Sequence, residues 1–216
     1  MQKPASYEVF LKLLDNEDKA GAVRFAINLI QSEQLSLEVL YEQILTPSLN
    51  EFYCKLDDRE LCVWKEHTRT SIIRTIVENT YPFAAEIAKK AKPTGKSVII
   101  ACPSEEYHEI GALIVSHLFL MNGFLPHFIG ANTPKADILS AVKALKPDFL
   151  ALSVTNYYNI IQTKQITDEV VAKHPSVKII IGGSAFAGAD AHGAIHHHFH
   201  MNSFQDIRTL AAEVLQ

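Results

Sequence analysis

Apolar positions recur at helical spacing through the first part of the chain. Tyr7, Phe10, Leu11 and Leu14 form one stripe, which the polar run Asp15-Asn16-Glu17-Asp18 breaks. Ala20, Val23, Ile27 and Ile30 mark a second helix. Leu37, Leu40, Tyr41 and Ile44 mark a third from about Ser36, with a kink expected at Pro47. A fourth is expected from near Asp58 to about Thr80, where Tyr81-Pro82 should interrupt it. Antiparallel helices with short connections predict an N-terminal four-helix bundle over residues 1–92.

Past Lys92-Pro93-Thr94-Gly95 the period changes. Short β-rich runs at Val98–Ala101, Leu125–Ile129, Phe149–Ser153 and Lys178–Ile181 alternate with helical patterns starting near Glu109, Thr133 and Thr163. Such alternation implies right-handed βαβ crossovers and a mostly parallel sheet. The expected class is therefore α/β, with a Rossmann-like (flavodoxin-like) sheet domain over residues 96–216. A helix near Ser203–Leu215 closes it, with Ser203 and Asp206 as N-terminal capping residues. Ligands of such sheets bind beyond the strand C-termini, which directs attention to those loops.

Composition narrows the partners. Apolar residues make up 48% of the chain and charged residues 20%, an ordinary globular balance. The net charge of −4 and the scattered Lys and Arg argue against direct nucleic-acid binding. The nearest thing to a basic cluster, Lys89, Lys90, Lys92 and Lys96, decorates a helix end and a linker. Cys54, Cys62 and Cys102 lack metal-motif spacing and leave an odd number, which fits a reducing compartment. The start MQKPASYEVF lacks signal-peptide character, and no apolar run approaches membrane-spanning length. A soluble, cytoplasmic protein without a membrane association is expected.

Three loops carry candidate chemistry. After the first strand, Glu106-Tyr107-His108-Glu109-Ile110-Gly111 places an imidazole just before a helix, two residues after a carboxylate and three before a glycine. A helix N-terminus favours the uncharged ring, and a carboxylate on one ring nitrogen would leave the other for a metal. A solvent-facing His at a helix start is the plainer alternative. The third strand ends in Leu152-Ser153-Val154-Thr155, which leaves two hydroxyls at the binding edge. The fourth ends in Ile181-Gly182-Gly183-Ser184, where backbone could lie close to a ligand.

The ordered set, SVIIACPSEEYHEIGALIVSHLFLMNGFLPHFIGANTP, then KPDFLALSVT, then KIIIGG, resembles the cobalamin-binding domain family from Ser97 to about Gly183. The resemblance implies that the cofactor's own dimethylbenzimidazole leaves cobalt and His108 takes its place as lower axial ligand. Glu106 would be the hydrogen-bonded partner of His108. Gly111, Ser153, Thr155, Gly182 and Gly183 would line the slot for the freed nucleotide tail. Methyl-carrying members usually have Asp where Glu106 stands. Glu-x-His-Glu-Ile-Gly looks closer to the cobalamin-dependent, light-sensing transcriptional regulators, without their DNA-binding domain.

The resemblance extends into the helical part, where the family's bundle covers the upper face of the corrin. Val63-Trp64-Lys65-Glu66-His67 supplies the Glu-His pair that regulators carry after a Trp and nine further residues. The family's Trp position falls at Leu56, or at Phe52 or Tyr53 if residues are inserted, and not at Trp64. The His that follows that Trp in some light sensors has no counterpart here. Trp64, His67 and Ser71 share one line of the fourth helix, with Leu61, Thr68 and Ile72 beside it, as on a partly buried edge. Trp64, Glu66 and His67 are therefore expected to face the cofactor.

In Ile195-His196-His197-His198-Phe199-His200 a strand would align His196, His198 and His200. A solvated edge strand is preferred to a metal site, because the nearest carboxylate, Asp190, lies outside the run. The expected function is a cobalamin-binding sensor or regulatory module, light-responsive, holding adenosylcobalamin in preference to methylcobalamin between bundle and sheet domain. Its output would pass through a protein partner or a homo-oligomer. The alternative is a corrinoid methyl-carrier subunit of a methyltransferase system, and a storage or delivery protein comes third.

Overall fold

The computed structural model describes residues 4–52, 59–188, 193 and 195–216, with backbone alone at 59–62. The chain divides into two compact units, Met1–Ala84 and Ala85–Gln216.

In the helical unit, α1 (Ala5–Asp15) buries Tyr7, Phe10 and Leu14. The Asp18 carboxylate accepts from the Gly21 N–H at 2.8 Å and starts α2 (Lys19–Gln31). The buried face of α2 is Ala22, Ala26 and Leu29, whereas Val23, Ile27 and Ile30 are half-buried and Ala20 is exposed. Small residues allow a closer helix approach, so the contact rotates by one position from the expected stripe. A third helical stretch comprises α3 (Leu37–Val39), a π-helical segment (Leu40–Leu45) and α4 (Thr46–Asn50). The kink expected at Pro47 takes the form of this widened turn. The Thr46 N–H donates to the Tyr41 carbonyl five residues back, which eases the collision of a proline ring with the carbonyl four residues before it.

Helix α5 (Arg59–Ala88) runs through Pro82, contrary to the expected stop at Thr80. Tyr81 and Pro82 are exposed, while Ile72, Ile73, Ile76, Val77, Thr80 and Ala84 are buried. The Tyr41 and Thr80 hydroxyls hydrogen-bond at 2.6 Å. Packing along that face outweighs an interior proline's cost of about 3 kcal/mol. No helix among the described residues is long and apolar enough to cross a membrane.

The second unit is α/β. It comprises β1 (Ser97–Pro103), α6 (Ile110–Met121), β2 (Leu125–Thr133), α7 (Lys135–Leu145), β3 (Phe149–Ser153), α8 (Ile160–Lys173), β4 (Lys178–Gly182), β5 (Phe199–Met201) and α9 (Phe204–Val214). All strands are parallel, in the order β2-β1-β3-β4-β5. The central strands are continuous apolar runs, as strands covered on both faces must be. Ile99, Leu150, Leu152, Ile179 and Ile181 of the sheet pack with Ile138, Val142, Ile166 and Val170 of α7 and α8. Helix α6 lies against β1 and β2, and α9 against α6. Asp206 Oδ2 accepts from the Asn202 and Ser203 N–H groups at 2.8 and 2.9 Å, which caps α9.

Candidate cofactor-binding site

The strand order reverses direction at β1. The chain leaves β1 for β2 on one side and returns, by α7, to β3 on the other. Loops leaving β1 and β3 therefore part at their C-terminal ends and open a crevice. His108 follows β1, and Thr155 follows β3.

Glu106 joins the two loops. Its side chain is fully buried and accepts from five donors. Oε1 takes the His108 ring Nδ1 at 2.6 Å and the His108 backbone N–H at 3.2 Å. Oε2 takes the N–H groups of Thr155 and Asn156 at 2.9 and 2.8 Å and the Asn159 amide at 3.2 Å. Burial alone would raise the carboxyl pKa. The Asn156 N–H, the His108 ring, the Thr155 N–H and the Asn159 amide together hold it below the ordinary 4.5. An ionised carboxylate can only accept, so His108 Nδ1 carries the proton. Nε2 is the nitrogen left for a ligand, on a side chain that is 58% exposed. This arrangement fits a metal ligand with its tautomer locked from behind.

The other expected residues divide. Ser153 is half-buried and pairs through its backbone with Gly182. Thr155 is exposed, and its carbonyl accepts from Ser184 Oγ at 3.3 Å, which ties the β3 and β4 loops together. Gly183 is glycine for a reason internal to the fold: at φ +106, a Cβ would lie 2.2 Å from the Val154 carbonyl oxygen. At Gly182 a Cβ would meet the Met201 carbonyl oxygen at 3.1 Å. Gly111 differs from both. Nothing lies within 4 Å of a Cβ there, so its bare face looks onto open space in the first turn of α6.

Trp64, Glu66 and His67 belong to the helical unit, on exposed turns of α5. Ser71 is exposed too, so the line expected at a partly buried edge faces outward there. Phe52 is engaged locally, with the Arg69 guanidinium 4.6 Å from its ring centroid. Tyr53, Cys54, Leu56, Asp58 and Asp190 lie outside the described residues, as do the side chains of Leu61 and Cys62. In the His-rich run only Phe199–Met201 is strand, so His196 and His198 do not share its alternation. His198 Nδ1 accepts from the Ile179 N–H at 3.0 Å, and the His197 ring lies 2.8 Å from the Ile195 carbonyl oxygen. His196 instead faces Asp168 at 3.7 Å. Among the described residues no group of three or more His, Cys, Asp or Glu is placed to hold a metal ion.

Asn156, Asn159 and Asn132 are functional-site residues that the strand-end motifs do not contain, and Glu109 enters them only as part of Glu-x-His-Glu-Ile-Gly. The signal available for the first two was an Asn-x-x-Asn spacing directly after a strand.

The fold and this pair of residues define a doubly wound α/β domain that presents a buttressed imidazole at its switch point. Residues 96–198 match the B12 binding domain family. The HTH-type transcriptional repressor CarA of Myxococcus xanthus is 26% identical over 149 residues, covering 69% of this chain and 48% of the repressor. The chain thus spans about half the length of that relative. Among solved structures, the monomethylamine corrinoid protein of Methanosarcina barkeri superposes with a TM-score of 0.79 at 16% identity, over 97% of this chain and 98% of that one. A chain of the methanol:cobalamin methyltransferase complex of the same organism gives 0.52 at 17% identity, over 99% and 81%. At these identities the structural likeness is one of fold.

Proposed function

We propose that this chain binds cobalamin base-off, with His108 as the lower axial ligand, and serves as a cobalamin-dependent sensor. The observation that carries the binding is the Glu106–His108 pair at the switch point, with one ring nitrogen held and the other presented. Bound cobalamin supplies a cobalt–carbon bond that light can split or that can carry a methyl group. Glu106 fixes the tautomer and orientation of the His108 ring. Gly111 leaves room beside it, and Ser153, Thr155, Gly182 and Gly183 form the edge along which the nucleotide tail lies. Trp64, Glu66 and His67 provide exposed aromatic and polar groups for an upper ligand as large as adenosyl.

Two observations weigh on the role. Glu106 in place of the carriers' usual Asp, with the similarity to the CarA repressor, supports the sensor. The fold shared along nearly the whole length of a monomethylamine corrinoid protein supports the second reading, a methyl carrier that serves a methyltransferase. Absorbance and size-exclusion chromatography with adenosyl- and methylcobalamin, in darkness and after green light, separate them. A sensor binds adenosylcobalamin more tightly than hydroxocobalamin and changes oligomeric state on illumination, with the change altered in His67→Ala. Indifference to light, a preference for methylcobalamin and methyl transfer with an added methyltransferase would replace the sensor by the carrier.

The glycines allow a test of opposite signs. Gly111→Ala should leave the free protein as stable or up to about 1 kcal/mol more stable, because alanine favours a helix. It should nevertheless weaken cobalamin binding, by the roughly 1–3 kcal/mol of an overpacked contact. Gly183→Ala should instead destabilise the free protein, because its Cβ has nowhere to go. Thermal denaturation of the free forms and cobalamin titration read both. The histidine run should be dispensable: a variant with alanine at His196, His198 and His200 is expected to retain full cobalamin occupancy by absorbance.

A further inference from the structure

The end of β2 departs from regular pairing. Ile100 of β1 pairs with Phe128, Ala101 with Gly130 and Pro103 with Thr133, so β2 carries one extra residue in each of two steps. A bulge bends its strand and leaves a backbone group outside the ladder. At the second step the Ala131 N–H donates to Glu109 Oε2 at 2.8 Å. Gly130, at φ +103, makes room for that oxygen, since a Cβ would lie 3.1 Å from it. Asn132 completes the strap. Its N–H donates to the Glu106 carbonyl at 2.9 Å, and its Oδ1 accepts from the Glu105 N–H at 2.8 Å. Asn132 and Glu105 are both left-handed, at φ +50 and +63. Such backbone persists where surrounding bonds over-determine it, and here each residue bonds the other's loop.

We propose that Glu109 and Asn132 are positioning residues for His108. They strap the loop that carries it to the bulged end of β2 and so set where the imidazole stands at the sheet edge. The proposal rests on the reading of His108 as the cobalt ligand. The division of labour is spatial. Glu106, tied to the β3 loop, settles which ring nitrogen is free, and the strap on the β2 side settles where that nitrogen lies. Glu109 adjoins His108 and opens α6, so one carboxylate anchors both the imidazole and the start of the helix.

The test compares wild type with Glu109→Ala, Glu109→Gln and Asn132→Gly. Glutamine keeps an acceptor oxygen without the charge. Glycine keeps the left-handed backbone and the N–H but lacks Oδ1. In the cobalamin-free protein, NMR should show the Ala131 amide exchanging at least about tenfold faster in Glu109→Ala, and the Glu105 amide likewise in Asn132→Gly. The His108 ring resonances should shift in both, and Glu109→Gln should match wild type throughout. With cobalamin added, Glu109→Ala and Asn132→Gly should move part of the absorbance from the imidazole-ligated to the base-off form. Their Kd should rise about tenfold, and Glu109→Gln should restore wild-type behaviour. Lost amide protection with unmoved His108 resonances would overturn the proposal, because the strap would then hold its loop without placing the ring. A Glu109→Gln that behaves like Glu109→Ala would also overturn it, by assigning the effect to charge. If wild type binds no cobalamin, the reading of His108 as ligand fails, while the ring resonances still decide the positioning.

Discussion

His108→Ala is expected to convert the cobalamin-bound spectrum from an imidazole-ligated form to a water-ligated or base-off form. It should weaken binding by more than the roughly tenfold to hundredfold that follows loss of an outer-shell partner. The free protein should lose only the ring's share of the support for the Glu106 carboxylate, because the His108 backbone N–H and the β3-loop donors still reach it. Added free imidazole should restore part of the ligated spectrum, since the space left at the crevice is open to solvent. An unchanged spectrum in the variant would remove His108 from the site.

Glu106→Gln is expected to be damaging at two levels. Four of the five groups around the carboxylate are N–H donors, so whichever way a glutamine amide turns, its NH2 faces at least one of them. On the Oε2 side it would meet Thr155, Asn156 and Asn159; on the Oε1 side it would meet the His108 backbone N–H and could donate to the ring only by reversing its tautomer. Each buried donor left without an acceptor costs about 1–3 kcal/mol, so the α/β unit should lose a substantial part of its stability. The tautomer lock on His108 is lost with it. The pH dependence gives an independent reading. The folded-state pKa of Glu106 lies below 4.5, so its ionised form contributes stability that is present above pH 4.5 and lost as pH falls through the lower, folded value. Wild type and Glu106→Gln should therefore differ most near neutrality and converge under acid, as followed by urea unfolding across that range. A stability difference independent of pH would show that the carboxylate's charge is not what the surrounding donors hold.

The strand and helix order of the α/β unit is legible from the chain because the signals are local. Val98-Ile99-Ile100-Ala101 and Lys178-Ile179-Ile180-Ile181 are short β-branched runs between turn residues, and parallel topology follows from their alternation with helices. Where local rules misjudged an element, packing overrode them. Pro82 is a local stop signal, yet burial of Thr80 and Ala84 on the opposite face carries α5 through it. The largest apolar residues of α2 mark one stripe, yet the contact forms where Ala22 and Ala26 let backbones approach.

At the site, the pairing of Glu106 with His108 could be read from the sequence because two residues of spacing bring a carboxylate within reach of a ring nitrogen. Its strength could not. Three of the five donors on Glu106 come from residues 49, 50 and 53 positions away, and the order β2-β1-β3 alone brings them to one crevice. The glycines show the same division. Composition marks Gly111, Gly182 and Gly183 as places where something comes close. Only the fold shows that Val154 and Met201 backbone fills the space beside two of them and leaves the third open. Periodicity and short spacings act through neighbouring φ and ψ angles and are written along the chain. Hydrogen bonds across loops and the room beside a missing Cβ depend on which distant backbone arrives there, and the parallel sheet alone decides that.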